Sequence, residues 1–344
     1  MLDRSLRDRY SRQTVFPGIG EEGQAKLLRS NVVIIGCGAL GCNIANLLVR
    51  AGVGKVKIVD RDFIEYHNLH RQVLFNEDDI RARLPKAIAA ERHLRKVNST
   101  VEIKGIVADV NYTNIEELCS GADVILDGLD NAETRFLIND VSLKHKIPWV
   151  YGAALASAGM TMTIIPGETP CLRCIYPNSP PREITPTCAT AGVIGAVPSV
   201  IGSIQATEAM KILIGAKEIN HDLIAVDLWY GNFEHFKIKP RENCPTCAGK
   251  YEFLEEEFDI KTTSLCGQSR AVQVVNTKVK AISLNKLAAR LKGLGDVTRT
   301  KHMLQFVVGE YEITVFPDGR AVINNTIDES LAKELYDTYV SKLI

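Results

Sequence analysis

The sequence carries no net charge: 41 Lys and Arg stand against 41 Asp and Glu over 344 residues. Without an excess of either sign there is no long-range field to draw the chain onto nucleic acid or an anionic membrane, and neither is expected as a partner. Long apolar runs are missing too. None approaches the roughly 20 residues that span a bilayer, and the opening Met1-Leu-Asp-Arg-Ser-Leu-Arg-Asp8 lacks the apolar core of a secretory signal. Nine cysteines, an odd number in a long chain, do not make a disulfide framework. These absences lead to the expectation of a reducing, cytoplasmic setting, and the length favours two domains.

What is present begins with Asn31-Val-Val-Ile-Ile-Gly-Cys-Gly-Ala-Leu-Gly41 and then Lys55-Val-Lys-Ile-Val-Asp60. The pattern predicts a strand, a glycine-rich turn, a helix and a second strand ending in an acid. Gly36 permits the tight turn, Gly38 lets a nucleotide approach the backbone, Gly41 lets the helix pack on the sheet, and Asp60 accepts ribose hydroxyls. Alone, this is a nucleotide-binding βαβ unit, most often a dinucleotide fingerprint.

The residues beyond Asp60 shift that reading toward a triphosphate. Asn68, Arg71 and Gln72 lie just past the ribose acid, where a dehydrogenase needs no such cluster, and the planar arginine fork suits phosphate oxygens. Lys86 adds an ammonium at the start of the next helix. Asp127-Gly-Leu-Asp-Asn-Ala-Glu-Thr-Arg135 ends a strand in carboxylates suited to Mg²⁺. Further strands are expected at Val101–Val107, Val124–Asp127 and Trp149–Ala153, with helices near 86–97, 113–120 and 131–146. The alternation predicts an α/β fold, a doubly wound, mostly parallel Rossmann-like sheet, whose ligand sits beyond the carboxyl ends of its strands.

In combination these motifs resemble the MoeB/ThiF/HesA (E1-like) family, which adenylates the C-terminus of ubiquitin-like proteins. The resemblance runs from Arg9-Tyr-Ser-Arg-Gln13 through Phe16-Pro-Gly-Ile-Gly-Glu-Glu-Gly23, the glycine turn, Asn68-Leu-His-Arg-Gln72, Pro85-Lys86, Asp130-Asn131 and the helix reaching Lys211, to the cysteine pair ending at Cys247. One departure is Arg81-Ala-Arg-Leu-Pro-Lys86, longer than the family's GxPK and without its glycine. The resemblance implies ATP as substrate, with Gly36, Gly38, Ala39, Gly41, Asp60 and Asp62 binding the nucleotide. Asn68, Arg71, Gln72 and Lys86 would surround the triphosphate, and Asp130 with Asn131 would orient Mg²⁺. It also implies a homodimer in which Arg12 reaches the partner's ATP site, a C-terminal Gly-Gly sulfur carrier as substrate, and a sulfurtransferase or cysteine desulfurase as a further partner. Adenylation of a peptide, small-molecule or tRNA-linked carboxylate is the alternative, and an NAD-dependent dehydrogenase or non-catalytic nucleotide-binding scaffold the remote one.

Cys171-Leu-Arg-Cys174 and Cys244-Pro-Thr-Cys247 supply four thiolates, a closed tetrahedral set that suits structural zinc. Both pairs are expected in loops, away from the strand-to-helix turn of a redox CxxC. Cys188 stands apart, in a loop ahead of a helix starting near Pro198. Proximity to a helix N-terminus can lower a thiol's pKa, and in the resembled family a cysteine here is a nucleophile in some members and dispensable in others, so both roles stay open. Cys37, Cys42, Cys119 and Cys266 are expected to be packing residues. His67 and His70 have no metal-ligand spacing. Residues 1–260 are read as the adenylyltransferase domain and 262–344 as a small α+β domain, joined through the acidic Glu252–Asp259 stretch. Cys266-Gly-Gln-Ser-Arg270 faintly resembles a sulfurtransferase loop, but the chain beyond it is too short for that domain. Instead the tail predicts a strand at Ala271–Val275, a helix at Leu284–Leu291, a hairpin over Leu304–Phe316, a turn at Pro317–Arg320 into a short strand, and a last helix from Asp328 to Leu343.

Overall fold

The computed structural model describes residues 4–180, 186–255, 260–264, 270–279 and 281–344. The chain forms two compact units, Met1–Glu256 and Glu257–Ile344. The first opens with helices α1 (Arg4–Thr14) and α2 (Gly20–Leu27), then β1 (Asn31–Ile35), α3 (Ala39–Ala51), β2 (Lys55–Val59), α4 (Glu77–Arg81), α5 (Lys86–Val97), β3 (Glu102–Ile106), α6 (Ile115–Cys119), β4 (Val124–Asp127) and α7 (Ala132–His145). It continues through β5 (Trp149–Leu155), β6 (Ala158–Ile164), the one-turn helices α8 (Leu172–Ile175) and α9 (Cys188–Ala191), α10 (Ala196–Ile214), β7 (Leu223–Asp227) and β8 (Asn232–Phe236).

The eight strands form one sheet in the order β3-β2-β1-β4-β5-β6-β7-β8. The first five are parallel, whereas β6, β7 and β8 extend the sheet antiparallel. Strand alternation builds two cores. Val32 and Ile34 of β1 face a layer of α3, α5 and α10 side chains, while Val33 and Ile35 face α6, α7 and α8. Burial on both faces explains why β1 and β4 read as unbroken apolar runs. Each fully buried Val, Ile or Leu contributes about 1.5–3 kcal/mol, so the sheet is the rigid part on which the loops beyond its carboxyl edge are mounted. β1 lies between β2 and β4, and the strand order reverses there, opening the crevice where such sheets take ligands.

The second unit has β9 (Ile260–Ser264), β10 (Ala271–Asn276), α11 (Leu284–Leu291), β11 (Asp296–Arg299), β12 (Leu304–Val308), β13 (Tyr311–Val315), β14 (Ala321–Asn324) and α12 (Glu329–Tyr339). Its sheet is antiparallel throughout, in the order β11-β12-β13-β14-β10-β9. Val272, Val274, Phe306, Ile313, Val315 and Ile323 pack against Leu287 and Leu291 of α11 and Ala332 and Tyr336 of α12. Asp328 caps α12 by accepting from the Ser330 and Leu331 amides at 2.8 and 3.1 Å. The helix expected to reach Leu343 stops at Tyr339, and a 3-10 turn, Ser341–Leu343, replaces its last turn. Cys266 lies outside the described residues, as does the 256–259 part of the acidic stretch.

Candidate active site

The glycine turn connects β1 to α3. Gly36 has φ +93°, and a Cβ there would stand 2.6 Å from the Gly128 carbonyl oxygen. On Gly41 a Cβ would collide with the Gly36 carbonyl, so this glycine closes the turn on itself as well as packing the helix on β1. Gly38 differs: its nearest neighbour would be 3.7 Å away. It is the N-cap of α3, with no side chain capping the helix. The first amides of α3, beginning at Ala39, therefore offer an anion site into open space.

Asp60 comes directly after β2. Its Oδ2 accepts from the Cys37 amide at 2.6 Å and its Oδ1 from the Asp62 amide at 2.7 Å, tying the acid to the glycine turn. Burial pushes its carboxyl up, against the pull of the Lys86 ammonium. Lys86 opens α5, is buried, and lies 3.0 Å from Asp62 Oδ2. Burial opposes its charge, but Asp62 and Asp60 outweigh that effect and hold the ammonium above its ordinary range. Arg61, between the two acids, donates to Asp109 at 2.5 Å.

Between β2 and α4 the 3-10 turn Tyr66–Asn68 carries Asn68, and Arg71 and Gln72 follow it directly. Asn68 is buried and accepts from the Glu65 amide at 3.0 Å. Arg71 donates to the His67 carbonyl at 2.8 Å. Gln72 is buried and its Oε1 has no hydrogen-bond partner among the described residues. Its Nε2 stands 4.0 Å from where a Gly38 Cβ would be. A buried, unpaired amide oxygen beside an open glycine turn fits a polar ligand.

The loop after β4 completes the group. Asp130 is exposed, and its carboxylate raises Arg61, Lys86 and Arg135, so it lies in the field of all three. Asn131 caps α7, accepting from the Thr134 amide at 3.0 Å. Asp127 does not share the metal role that the run of carboxylates suggests. It is fully buried and paired with Arg135 at 2.9 Å. Residue type and spacing alone could not separate it from Asp130; the i+8 arginine was the available signal.

Cys188 is the first residue of α9, not a loop residue. Its thiol is pushed up, not down: burial acts first, the Asp130 carboxylate adds to it, and Arg71 and Arg135 oppose both. A one-turn helix has too small a dipole to reverse that. These same causes place Cys188 among Asp130, Arg71 and Arg135. The helix start at α10 is close too, since a Cβ on Gly195 would stand 2.9 Å from the His70 carbonyl.

Arg12 lies apart from this group, exposed on α1. Its neighbours do the anchoring. Tyr10 is buried and accepts from Asn98 at 2.9 Å, and Gln13 donates to the Ala51 carbonyl at 2.9 Å.

The four knuckle cysteines converge. Their sulfurs all lie within 4.8 Å of one another, with Cys171–Cys244 at 3.6 Å, Cys174–Cys247 at 3.7 Å and Cys171–Cys174 at 3.9 Å. Four sulfurs around one zinc at a Zn–S distance of about 2.3 Å stand about 3.8 Å apart, so this group could hold a metal ion. Cys174 sits on α8, which corrects the expectation of two loops; the turn of helix is what brings Cys171 and Cys174 to one side. Two adjacent α7 residues, unsuspected from sequence, carry the knuckles. Asn139 accepts from the Leu172 amide at 2.8 Å, and Asp140 accepts from the Thr246 hydroxyl at 3.1 Å and the Phe253 amide at 2.9 Å.

A family model described as the ThiF family matches residues 10–246. The chain belongs to the ThiF family. Among its relatives, the sulfur carrier protein ThiS adenylyltransferase of Bacillus subtilis (strain 168) is 41% identical over 339 residues, 97% of this chain and 100% of that protein. The SAMP-activating enzyme E1 of Haloferax volcanii is 40% identical over 257 residues, 74% of this chain and 94% of that one. A crystal structure of E. coli MccB with ATP matches with a TM-score of 0.60 at 23% identity, covering 70% of this chain and 74% of that one. That match concerns the fold, and the MoeB/ThiF/HesA resemblance read from the motifs agrees with it. The ThiF match ends at Thr246, whereas the Bacillus alignment takes in most of the second unit as well. Among the described residues, no helix is long and apolar enough to cross a membrane.

Proposed function

We propose that this chain is an ATP-dependent adenylyltransferase acting on the C-terminal carboxylate of a ubiquitin-like sulfur-carrier protein. The observation that carries the reading is convergence. The open glycine turn, Asp60, buried Lys86 and the Asp130 loop meet at the carboxyl edge of the parallel strands, in a chain aligned along the whole length of a ThiS adenylyltransferase.

ATP lies with its phosphates against the α3 N-terminus and its ribose toward Asp60. Lys86, released from Asp62, and Arg71 meet the triphosphate with fixed positive charge. Asp130 would hold Mg²⁺, which when bound would neutralise phosphate charge. The carrier's carboxylate oxygen attacks the α-phosphorus and the bond to the β-phosphate bridging oxygen breaks. Pyrophosphate leaves, and the carboxyl group is now an acyl-adenylate. AMP is a good leaving group, so a thiol or persulfide can then displace it.

Cys188, beside Asp130 and Arg71, would accept the activated carrier as a thioester, its sulfur bonding to the carboxyl carbon as AMP leaves. Burial first and the Asp130 carboxylate second hold its pKa above the ordinary thiol range, and a cation held by Asp130 would remove the second of these. The cysteine knuckles take one structural zinc, and Arg12 completes the ATP site of the partner in a homodimer. A sulfurtransferase or cysteine desulfurase supplies the sulfur. ATP–pyrophosphate exchange in the presence of a Gly-Gly carrier tests the reading.

A further inference from the structure

Asp130 is exposed, yet the residues on both sides of it are fixed. The Leu129 amide donates to Asp127 Oδ1 at 2.9 Å, and the Leu129 carbonyl accepts from Arg135 Nη2 at 2.6 Å. On the other side, the Asn131 side chain caps α7. Arg135 makes two further bonds, through Nε to Asp127 Oδ2 at 2.9 Å and through Nη2 to the Gly152 carbonyl at 2.9 Å. It also lies over the Tyr151 ring, 5.5 Å from its centroid. Gln205 of α10 closes the network from below, donating to the Asp127 carbonyl at 2.9 Å and the Val150 carbonyl at 3.1 Å.

We infer that Arg135 is a positioning residue: by pinning the Leu129 carbonyl to Asp127 and β5, it fixes the backbone that aims the Asp130 carboxylate at the metal–triphosphate. This rests on the reading of Asp130 given above. One guanidinium joins three separate backbone or carboxylate acceptors from a rigid planar fork, whereas a lysine's three donors all sit on one nitrogen at the end of a flexible stem. A plain structural pair would need only the contact with Asp127. The Leu129 and Gly152 bonds have the added effect of tying the Asp130 loop to the sheet edge. Arg135 offsets part of the burial that makes Asp127 hard to ionise, so removing Arg135 alone leaves a buried acid without its counter-charge. The double variant Asp127→Asn/Arg135→Gln removes both charges together and separates positioning from that penalty.

Calorimetric titration of the full chain with ATP, once with Mg²⁺ and once with EDTA, is the test. Loss of a residue supporting a metal-holding carboxylate weakens metal-dependent binding by about 10-fold to 100-fold. That loss is expected for Arg135→Gln and for the double variant in Mg²⁺, with less than about a twofold change in EDTA. Arg135→Gln added to Asp130→Ala should weaken Mg·ATP binding no further, because both act through one carboxylate. Arg135→Lys, which keeps the charge but not the three-way fork, should lose most of the Mg²⁺-dependent gain and serves as the test if neither glutamine variant folds. Equal losses with Mg²⁺ and EDTA, additive losses in the combined variant, or wild-type Mg·ATP binding by a folded variant would overturn the inference. Wild-type Mg·ATP binding by Asp130→Ala would instead remove the Asp130 reading on which it rests.

Discussion

Removing the metal from the cysteine knuckles should cost stability by an amount the geometry sets. Cys171 and Cys244 are 73 positions apart, as are Cys174 and Cys247, and a four-sulfur site joins both pairs. Treated as a cross-link closing a loop of that size, the site withholds roughly 4 kcal/mol of chain entropy from the unfolded state. For a unit of this length, each kcal/mol moves the melting temperature by about 2–4 °C, so chelation or Cys174→Ser should lower it by about 8–16 °C. Asn139 and Asp140 hold both knuckles on α7 from outside the sulfur set, which allows the unit to remain folded below the new transition. Elemental analysis should find about one zinc per chain, and scanning fluorimetry with and without a chelator should show the shift. Pyrophosphate exchange per folded molecule should change far less than stability. A melting temperature unmoved by chelation, or freshly prepared protein without metal and with disulfides in place of the four thiols, would refute the reasoning.

Three other outcomes depend on single residues. Ala156 has φ +52° in the exposed turn between β5 and β6, a conformation costing a non-glycine residue about 1–2 kcal/mol, so Ala156→Gly should raise stability by about 1 kcal/mol; a lower melting temperature would contradict this. Gly38→Ala should melt like the wild type and bind ATP poorly, because its Cβ enters open space above the turn, whereas Gly41→Ala should fail to fold; normal ATP binding by folded Gly38→Ala would show that the nucleotide does not approach there. Since burial and Asp130 hold the Cys188 thiol up, its alkylation at neutral pH should be slow and should rise with pH through an elevated midpoint. Asp130→Asn should speed it by lowering that midpoint, while Cys188→Ser should keep exchange but lose a reductant-sensitive adduct with the carrier. Peptide mass mapping reads both effects, and an intact adduct in the serine variant would relegate Cys188 to packing.

The sequence exposed those parts of the molecule that rest on local backbone requirements. The glycine turn, the acid after β2, Lys86 at a helix start and the two CxxC pairs each depend on a short run of residue types, and the strand Val124–Asp127 and helix Leu284–Leu291 fell where their apolar pattern put them. What escaped depended on distant chain segments. The antiparallel strands form two local hairpins, β5–β6 and β7–β8, but the β6–β7 pairing that joins them into one sheet links segments far apart in sequence. Asp127 has the look of a metal ligand until Arg135 and Gly152 close around it. The helix start visible in the sequence points to a low pKa for Cys188, while the burial and the Asp130 carboxylate that outweigh it are not visible there. Asn139 and Asp140 gave no signal at all, since a polar pair within a helix is ordinarily solvent-facing.

ATP–pyrophosphate exchange with a carrier protein ending in Gly-Gly is the most direct test of adenylation. The wild-type chain should exchange label only when ATP, Mg²⁺ and that carrier are all present, and Asp130→Ala should abolish exchange while its melting temperature stays unchanged, since the exposed carboxylate bears no load in the fold. Exchange that persists in Asp130→Ala would remove that residue from the chemistry. No exchange with the wild-type chain and a carrier that it binds would contradict the account as a whole.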